Sequence, residues 1–300
     1  MTVVVTAATG HLGRLVVEEL LERGLPADQL VAAARRPEAL DDVVSRGVTA
    51  ARADYDDPQS LKDAFEGADV LVFVSGSEVG KRVAQHTAVV DAAVAAGVGL
   101  VVYTSIVHAD TSPLPALAGE HLATEQALAA SGLAHVVLRN SWYVENYTAQ
   151  LPTYLAHGIA GSAGEGRISA ATRADYAAAA AAVALAAARA GTLPAPGGDG
   201  EVSPAVGRLV YELGGEAFTM AELAATVTAV TGTEVTYTDL PEDAYTQVLV
   251  GAGLPHDYAA VLASADTGAK AGGLFTDSGD LARLAGRPLT SLEDAVRAAR

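Results

Sequence analysis

The chain has 300 residues, half of them apolar, a formal net charge of −17 and no cysteine. A chain of this size and composition buries roughly three quarters of its surface, which excludes a disordered protein. The acidic balance argues against nucleic-acid or anionic-lipid partners, and the lack of cysteine excludes disulfides, thiolate metal sites and cysteine nucleophiles.

The chain opens on Met1-Thr-Val-Val-Val-Thr, without a basic leader or a cleavage site, and a strand over Thr2–Thr6 begins at once. Helical spacing follows over His11–Arg23, with Leu12, Leu15, Val16, Leu20 and Leu21 on one face. Leu30–Ala34 reads as a strand, Pro37–Arg46 as a helix, Val48–Ala53 as a strand and Leu61–Phe65 as part of a helix. Val70–Val74 is a fully apolar strand, and Val83–Ala96 is an amphipathic helix that stops at Gly97. Strands at Leu100–Thr104 and His135–Leu138 flank a helix at Leu117–Ala130. Strands alternating with crossover helices predict an α/β fold: a doubly wound, parallel, Rossmann-type sheet covered on both faces.

Past Asn140 the rhythm changes. Gly158–Gly166 reads as a glycine-rich loop. Thr172 and Asp175 resemble a capping box ahead of an alanine-rich helix. The longest apolar run, Tyr176–Ala188, is too short for a bilayer, which needs about 20 residues. Leu193–Pro204, rich in Pro and Gly, reads as a surface loop or linker. A strand at Leu209–Leu213, a helix at Met220–Val230, a strand at Glu234–Thr238 and helices to the end form a smaller C-terminal α/β lobe. The expected division is 1–150 and 151–300, with the Thr172–Ala190 helix packing back on the first part. The expected setting is a cytoplasmic protein with no membrane segment, and a homodimer is compatible with it.

The sharpest motif is Thr6-Ala7-Ala8-Thr9-Gly10-His11-Leu12-Gly13, between the first strand and the first helix. In that context Gly10 lets the backbone approach a pyrophosphate, Gly13 lets helix and strand lie close, and the helix N-terminus faces the phosphates. Ala7 stands where the usual pattern has glycine, and the expectation is a negative φ there, since alanine is strained at positive φ. Arg35 and Arg36 close the second strand, Arg35 twenty-two residues after Gly13. An acidic residue in that place holds the ribose diol of NAD, and an arginine suits the extra phosphate of NADP. A solvated pair at a helix start is the alternative for the arginines. Asp54, after the third strand, is placed near the adenine rim, and Ser75-Gly76 ends the fourth strand where a dinucleotide passes the sheet edge.

Together these residues resemble the NmrA-like atypical short-chain dehydrogenases, most closely their type 2 NAD(P)H:quinone oxidoreductase branch. The stretches that carry the likeness are Ala7–Gly13, Ser75–Arg82, Tyr103–Pro113, Glu120–Glu125, Leu138–Tyr147, Ala171–Ala180 and Gly272–Asp277. The resemblance implies NADPH as cofactor and a quinone as hydride acceptor. A non-catalytic NADP-sensing regulator, or a reductase of another activated acceptor such as a dye, an imine or a ketone, is the alternative reading.

An ordinary short-chain dehydrogenase pairs a serine with Tyr-x-x-x-Lys. Here Ser105 follows its strand, but the second slot reads His121-Leu-Ala-Thr-Glu125. A glutamate raises the pKa of a neighbouring acid, where a lysine lowers it, so ketone reduction should be poor. Quinone reduction yields a phenolate-like anion whose conjugate acid has a pKa of about 10, and makes weaker demands on an acid. The candidate catalytic residues are Asn140, His121 and Tyr143. Asn140 is a hydrogen-bond donor to a quinone oxygen, and His121 is a proton donor or a ligand of the nicotinamide ribose. Trp142 and Tyr143 are candidates to stack on a flat ring, with His108 and Phe275 also facing the substrate. Thr6, Ala7, Thr9, Gly10, His11, Leu12, Arg35, Asp54, Ser75, Gly76, Thr104 and Ser105 are the expected cofactor residues. Core packing is the alternative for the aromatics, and an exposed i,i+4 pair is the alternative for His121 with Glu125. No third ligand at a sensible spacing supports a metal site.

Overall fold

The computed structural model describes residues 1–190 and 210–300. The predicted alternation is present. Strands β1 (Val3–Val5), β2 (Leu30–Ala34), β3 (Thr49–Arg52), β4 (Val70–Phe73), β5 (Leu100–Ile106) and β6 (His135–Asn140) are joined by α1 (His11–Glu22), α2 (Asp41–Val44), α3 (Pro58–Phe65), α4 (Arg82–Ala96) and α5 (Pro115–Ser131). They build a seven-stranded sheet of order β3-β2-β1-β4-β5-β6-β8, where β8 is Val210–Leu213. The pairs β1–β2, β2–β3, β1–β4 and β4–β5 are parallel, and Val3 lies opposite both Leu30 and Val70. The chain winds outward from β1 through β2 to β3, then returns to β4 on the other side. The order therefore reverses between β1 and β4, and beyond the carboxyl ends of these two strands lies the crevice in which such folds bind nucleotides.

The burial explains the composition. Every residue of β1, β4 and β5 is buried, so their Val, Leu and Phe face helices on both sides. Strand β3 lies at the edge and exposes Thr49 and Arg52. Helix α1 buries Leu12, Val16, Val17 and Leu20. The alanine-rich stretch forms α8 (Arg173–Ala190), which packs on α1, β4 and β5, with Ala177–Ala181, Ala184 and Ala187 almost fully buried. Its small side chains let it pack closely on all sides. Asp57 caps α3 by accepting from Ser60 N, and Gly97, at φ +67°, ends α4 as predicted.

Some elements differ from the sequence expectation. Pro37–Arg46 is a 3-10 turn over Pro37–Leu40 running into the one-turn α2, because only Leu40 and Val43 bury an apolar face. The glycine-rich stretch holds a short strand, β7 (Ile159–Gly161), paired in parallel with β9 (Tyr237–Asp239). The strand expected at Glu234–Thr238 therefore starts only at Tyr237, the partner of Ile159. The Leu193–Pro204 stretch lies outside the described residues.

Two compact units interleave along the chain. The first comprises 1–106, 120–139 and 173–211, and the second 107–119, 140–172 and 212–300. The second unit contains the β7–β9 pair, α6 (Glu145–Thr148), α7 (Leu151–His157), α9 (Met220–Thr231), the mutually packed α10 (Glu242–Gly251) and α11 (His256–Lys270), α12 (Asp280–Ala285) and α13 (Leu292–Ala298), which packs on α9. A full capping box, Thr219 with Glu222, starts α9. No described helix is long and apolar enough to cross a membrane.

Candidate functional site

The turn after β1 is built as the motif requires. Gly10 is the N-cap of α1 and no side chain caps its first turn, so the leading N–H groups point outward. Thr9, Gly10 and His11 are exposed, while Leu12 is buried beneath them. A Cβ on Gly13 would come 2.3 Å from the Ala7 carbonyl oxygen, so only glycine lets α1 start this close to β1. Ala7 corrects the expectation of a negative φ: it sits at φ +50°, in the left-handed region. Its carbonyl accepts from Gly10 N at 2.8 Å, and Ala8 N donates to Ala33 O at 3.0 Å. These two bonds fold the turn tightly enough to hold alanine where glycine costs less. Thr6 has its hydroxyl engaged internally, accepting from Val74 N at 3.0 Å. Tyr55, which the sequence did not single out, donates to Val74 O at 2.7 Å and lies 2.7 Å from Thr6 Oγ1, tying β1 to β4 beneath the turn.

Arg35 is exposed beyond β2, with Nη1 3.4 Å from Glu78. Asp54 holds its own turn: its carboxylate accepts from Asp56 N at 3.2 Å, and Arg52 lies 3.6 Å away. The Ser75–Arg82 segment is fixed from beneath. Ser75 N donates to Thr104 Oγ1 (2.9 Å), and Gly76 N donates to His86 Nε2 (2.9 Å). Arg82 Nε donates to Gly76 O (2.8 Å), and the buried Arg82 guanidinium pairs with Glu120, which also accepts from Gly80 N. His86 accepts at Nε2, so its ring proton sits on Nδ1 and faces Thr124 Oγ1 at 2.8 Å, whose hydroxyl in turn donates to Glu120 O. Burial, helped by the Arg82 charge, pushes the His86 pKa down to about 3.

The slot at His121 and Glu125 is not an exposed pair, which corrects that alternative. His121 is 8% exposed, and its Nδ1 lies 2.7 Å from the Tyr103 hydroxyl. Burial first, then Arg82 and His86, hold its pKa well below the usual imidazole range. It is therefore neutral, and the role of charged proton donor falls away; hydrogen bonding remains. Tyr103 is buried too, which pushes its pKa well above the ordinary phenol value. Glu125 turns away from His121, accepts from Ser105 Oγ at 2.5 Å and is bound by Arg139 through Nε (3.0 Å) and Nη2 (2.7 Å). His86, Tyr103 and Arg139 were missed because no local pattern marks them: each comes from a different element and matters only through what it meets.

In the second unit, Asn140 is 4% exposed and its Oδ1 is buried with no partner among the described residues. An unspent buried amide oxygen at the end of a strand is an acceptor that a ligand N–H or O–H would satisfy. Trp142 and Tyr143 are half-buried and are held along Ala171, with Tyr143 bridged to it. His108 has φ +55°, and its Nε2 donates to the Phe275 carbonyl at 2.7 Å, while its backbone N donates to Glu212. His108 thereby anchors the segment that carries Phe275, whose ring is partly exposed.

Comparison with known proteins establishes the family and the fold. The NmrA-like family model matches residues 1–275. Quinone oxidoreductase 2 of Escherichia coli (strain K12) is 45% identical over 296 residues, which are 98% of this chain and 97% of that protein. The crystal structure of the NADPH-dependent quinone oxidoreductase from Escherichia coli complexed with NADPH superposes with a TM-score of 0.88 at 45% identity, covering 98% of each chain. Triphenylmethane reductase of Citrobacter sp. complexed with NADP(H) gives a TM-score of 0.88 at 31% identity over the whole of both chains. This chain belongs to the NmrA-like family.

Proposed function

We infer that this protein is an NADPH-dependent oxidoreductase that reduces quinones. The observation that carries the reading is chemical. The place where a ketone reductase keeps a tuned acid holds instead a phenol with a raised pKa, Tyr103, and a neutral imidazole, His121. An acceptor reduced there must do without a strong proton donor, and a quinone, whose reduced form is a stabilised phenolate-like anion, meets that condition.

The nucleotide half rests on the turn. The free first-turn amides of α1, the close approach at Gly13 and the exposed guanidinium of Arg35 fit a dinucleotide with an extra phosphate. We assign the diphosphate to the Thr9, His11 and Leu12 amides with Thr6, Ala7 and Gly10 shaping the turn, the 2′-phosphate to Arg35, and the rim to Asp54, Ser75, Gly76 and Thr104. When bound, NADPH supplies the hydride. His121, a neutral imidazole with Nδ1 2.7 Å from the Tyr103 hydroxyl, is proposed to hold the nicotinamide ribose. Asn140 is the proposed ligand of the acceptor oxygen through its Nδ2 donor, while its unsatisfied Oδ1 can accept only from a ligand N–H or O–H; Trp142, Tyr143, His108 and Phe275 are proposed on the acceptor side. A cytoplasmic location and the absence of nucleic-acid partners belong to the same reading and are supported by the net charge of −17. A homodimer is compatible with it and is checked by the mass in solution.

The test follows NADPH consumption with 1,4-benzoquinone, simple ketones, imines and triphenylmethane dyes. Quinone turnover well above ketone turnover is expected. Faster ketone reduction would overturn the acceptor assignment, and saturable NADPH binding without turnover of any acceptor would favour a nucleotide sensor.

A further inference from the structure

Three consecutive hydroxyls on β5 make hydrogen bonds inside the protein. The Tyr103 hydroxyl lies 2.7 Å from His121 Nδ1, and Thr104 Oγ1 donates to Ser75 Oγ (3.4 Å) while accepting from Ser75 N. Ser105 Oγ donates to Glu125 Oε1 at 2.5 Å. The last bond is the strongest held. An ionised carboxylate can only accept, and Glu125 is locked by a two-point bond to Arg139 with both side chains about nine-tenths buried. Turning the Ser105 proton toward a ligand would strip a charge-assisted bond from a buried ion pair, which is costly. Ser105 keeps only its lone pairs.

We propose that Glu125, clamped by Arg139, makes Ser105 an obligate hydrogen-bond acceptor and is thereby a specificity-determining residue that withholds a proton donor from ordinary ketones. In this arrangement Ser105 receives a donor of the nucleotide, a ribose hydroxyl or the carboxamide N–H, and does not bond the oxygen of the hydride acceptor. A ketone becomes an alcohol by gaining a hydride at carbon and a proton at oxygen, and without a donor its alkoxide is left unprotonated and strongly basic. A quinone takes the hydride and carries the charge as a phenolate, whose proton can come later from water. The inference rests on the NADPH-to-quinone reading and explains how the site selects within it.

The test measures NADPH binding by nucleotide fluorescence beside steady-state kinetics. In S105A the NADPH dissociation constant should rise about five-fold, the worth of one neutral hydrogen bond, and the kinetic loss should appear in KM for NADPH rather than in kcat. An unchanged dissociation constant with kcat for benzoquinone down roughly a hundred-fold overturns the proposal, because it makes Ser105 a donor to the transition state. Removing Glu125 alone strands Arg139, so the pair is replaced together as E125M/R139M, with its thermal melt compared with the parent. With the Ser105 proton released, the ratio of kcat/KM for a simple ketone to that for benzoquinone should rise at least about ten-fold. A ratio that does not move in a folded double variant overturns the specificity role. Failure of the parent protein to bind NADPH or reduce quinones would instead sink the underlying reading, and is seen before any variant is made.

Discussion

Ala7 sits at φ +50°, a conformation that costs an L-residue about 1–2 kcal/mol. Glycine removes that cost but gains freedom in the unfolded chain, which returns about 0.4–1 kcal/mol. Ala7→Gly should therefore stabilise the protein by about 1 kcal/mol, seen as a melting temperature higher by about 2–3 °C, with NADPH affinity at least equal to the parent. A lower melting temperature would mean that the turn relaxes to negative φ in solution. Arg35 belongs to the same scale. Its ion-pair partner among the described residues, Glu78, is exposed like itself, and such pairs are worth little, so a phosphate dianion can take the guanidinium over. Arg35→Ala should weaken NADPH binding about ten-fold and leave NADH binding unchanged, and equal loss for both nucleotides would exclude a 2′-phosphate role. The sequence located the turn after β1 and the arginine beyond β2 because both are local patterns. It misjudged the backbone of Ala7 because φ is decided by the Ala7–Gly10 and Ala8–Ala33 bonds.

At the scale of elements, the junction of β1 and α1 is where nucleotide binding is proposed. A methyl group on Gly13 would meet backbone atoms of Ala7 and Thr6 at 2.3–2.9 Å, and backbone cannot swing aside as a side chain can. Gly13→Ala should lift the start of α1, cost about 2 kcal/mol in a denaturant melt and lower kcat/KM for NADPH roughly a hundred-fold. Unaltered kinetics would show that the turn does not position the nucleotide. The helix from Arg173 to Ala190 teaches the converse lesson. Its alanines carry no amphipathic signal, yet Ala177–Ala181, Ala184 and Ala187 are buried in a helix that packs on α1, β4 and β5, so small size rather than periodicity made it a core helix. Strand β7 escaped notice for a similar reason, since three residues within a glycine-rich stretch become a strand only by pairing with β9.

For the whole molecule, buried ionisable groups set the response to pH. The folded-state pKa of His86, about 3, lies below the unfolded value of about 6.5, so the unfolded chain binds the extra proton first as acid is added. The stability is complete above pH 6.5 and is lost as pH falls toward 3. His86 alone should cost about 2 kcal/mol at pH 5 relative to pH 7, and His121 acts in the same direction. Denaturant melts should show His86→Gln losing less stability than the parent between pH 7 and pH 5. Asp266 works with the opposite sign. Burial raises its folded pKa to about 6 although it accepts from Ser162 N at 2.9 Å, so its ionisation above pH 6 destabilises the fold. Asp266→Asn should raise stability by roughly 2 kcal/mol at pH 8 and have little effect near pH 4, and equal effects at both would refute a buried carboxylate there.

The sequence by itself determined the alternation of strands and helices, the position of the glycine turn between β1 and α1, the stop at Gly97 and the arginine beyond β2. These are short-range facts, written in periodicity and in residues whose backbone freedom differs from the rest. Only the tertiary structure decided the protonation of the site. Whether His121 is charged, and where the Ser105 proton lies, depends on Tyr103, Arg139 and Arg82, brought together from separate elements and sealed from water. Burial and hydrogen-bond direction are properties of that assembly, and no spacing along the chain encodes them.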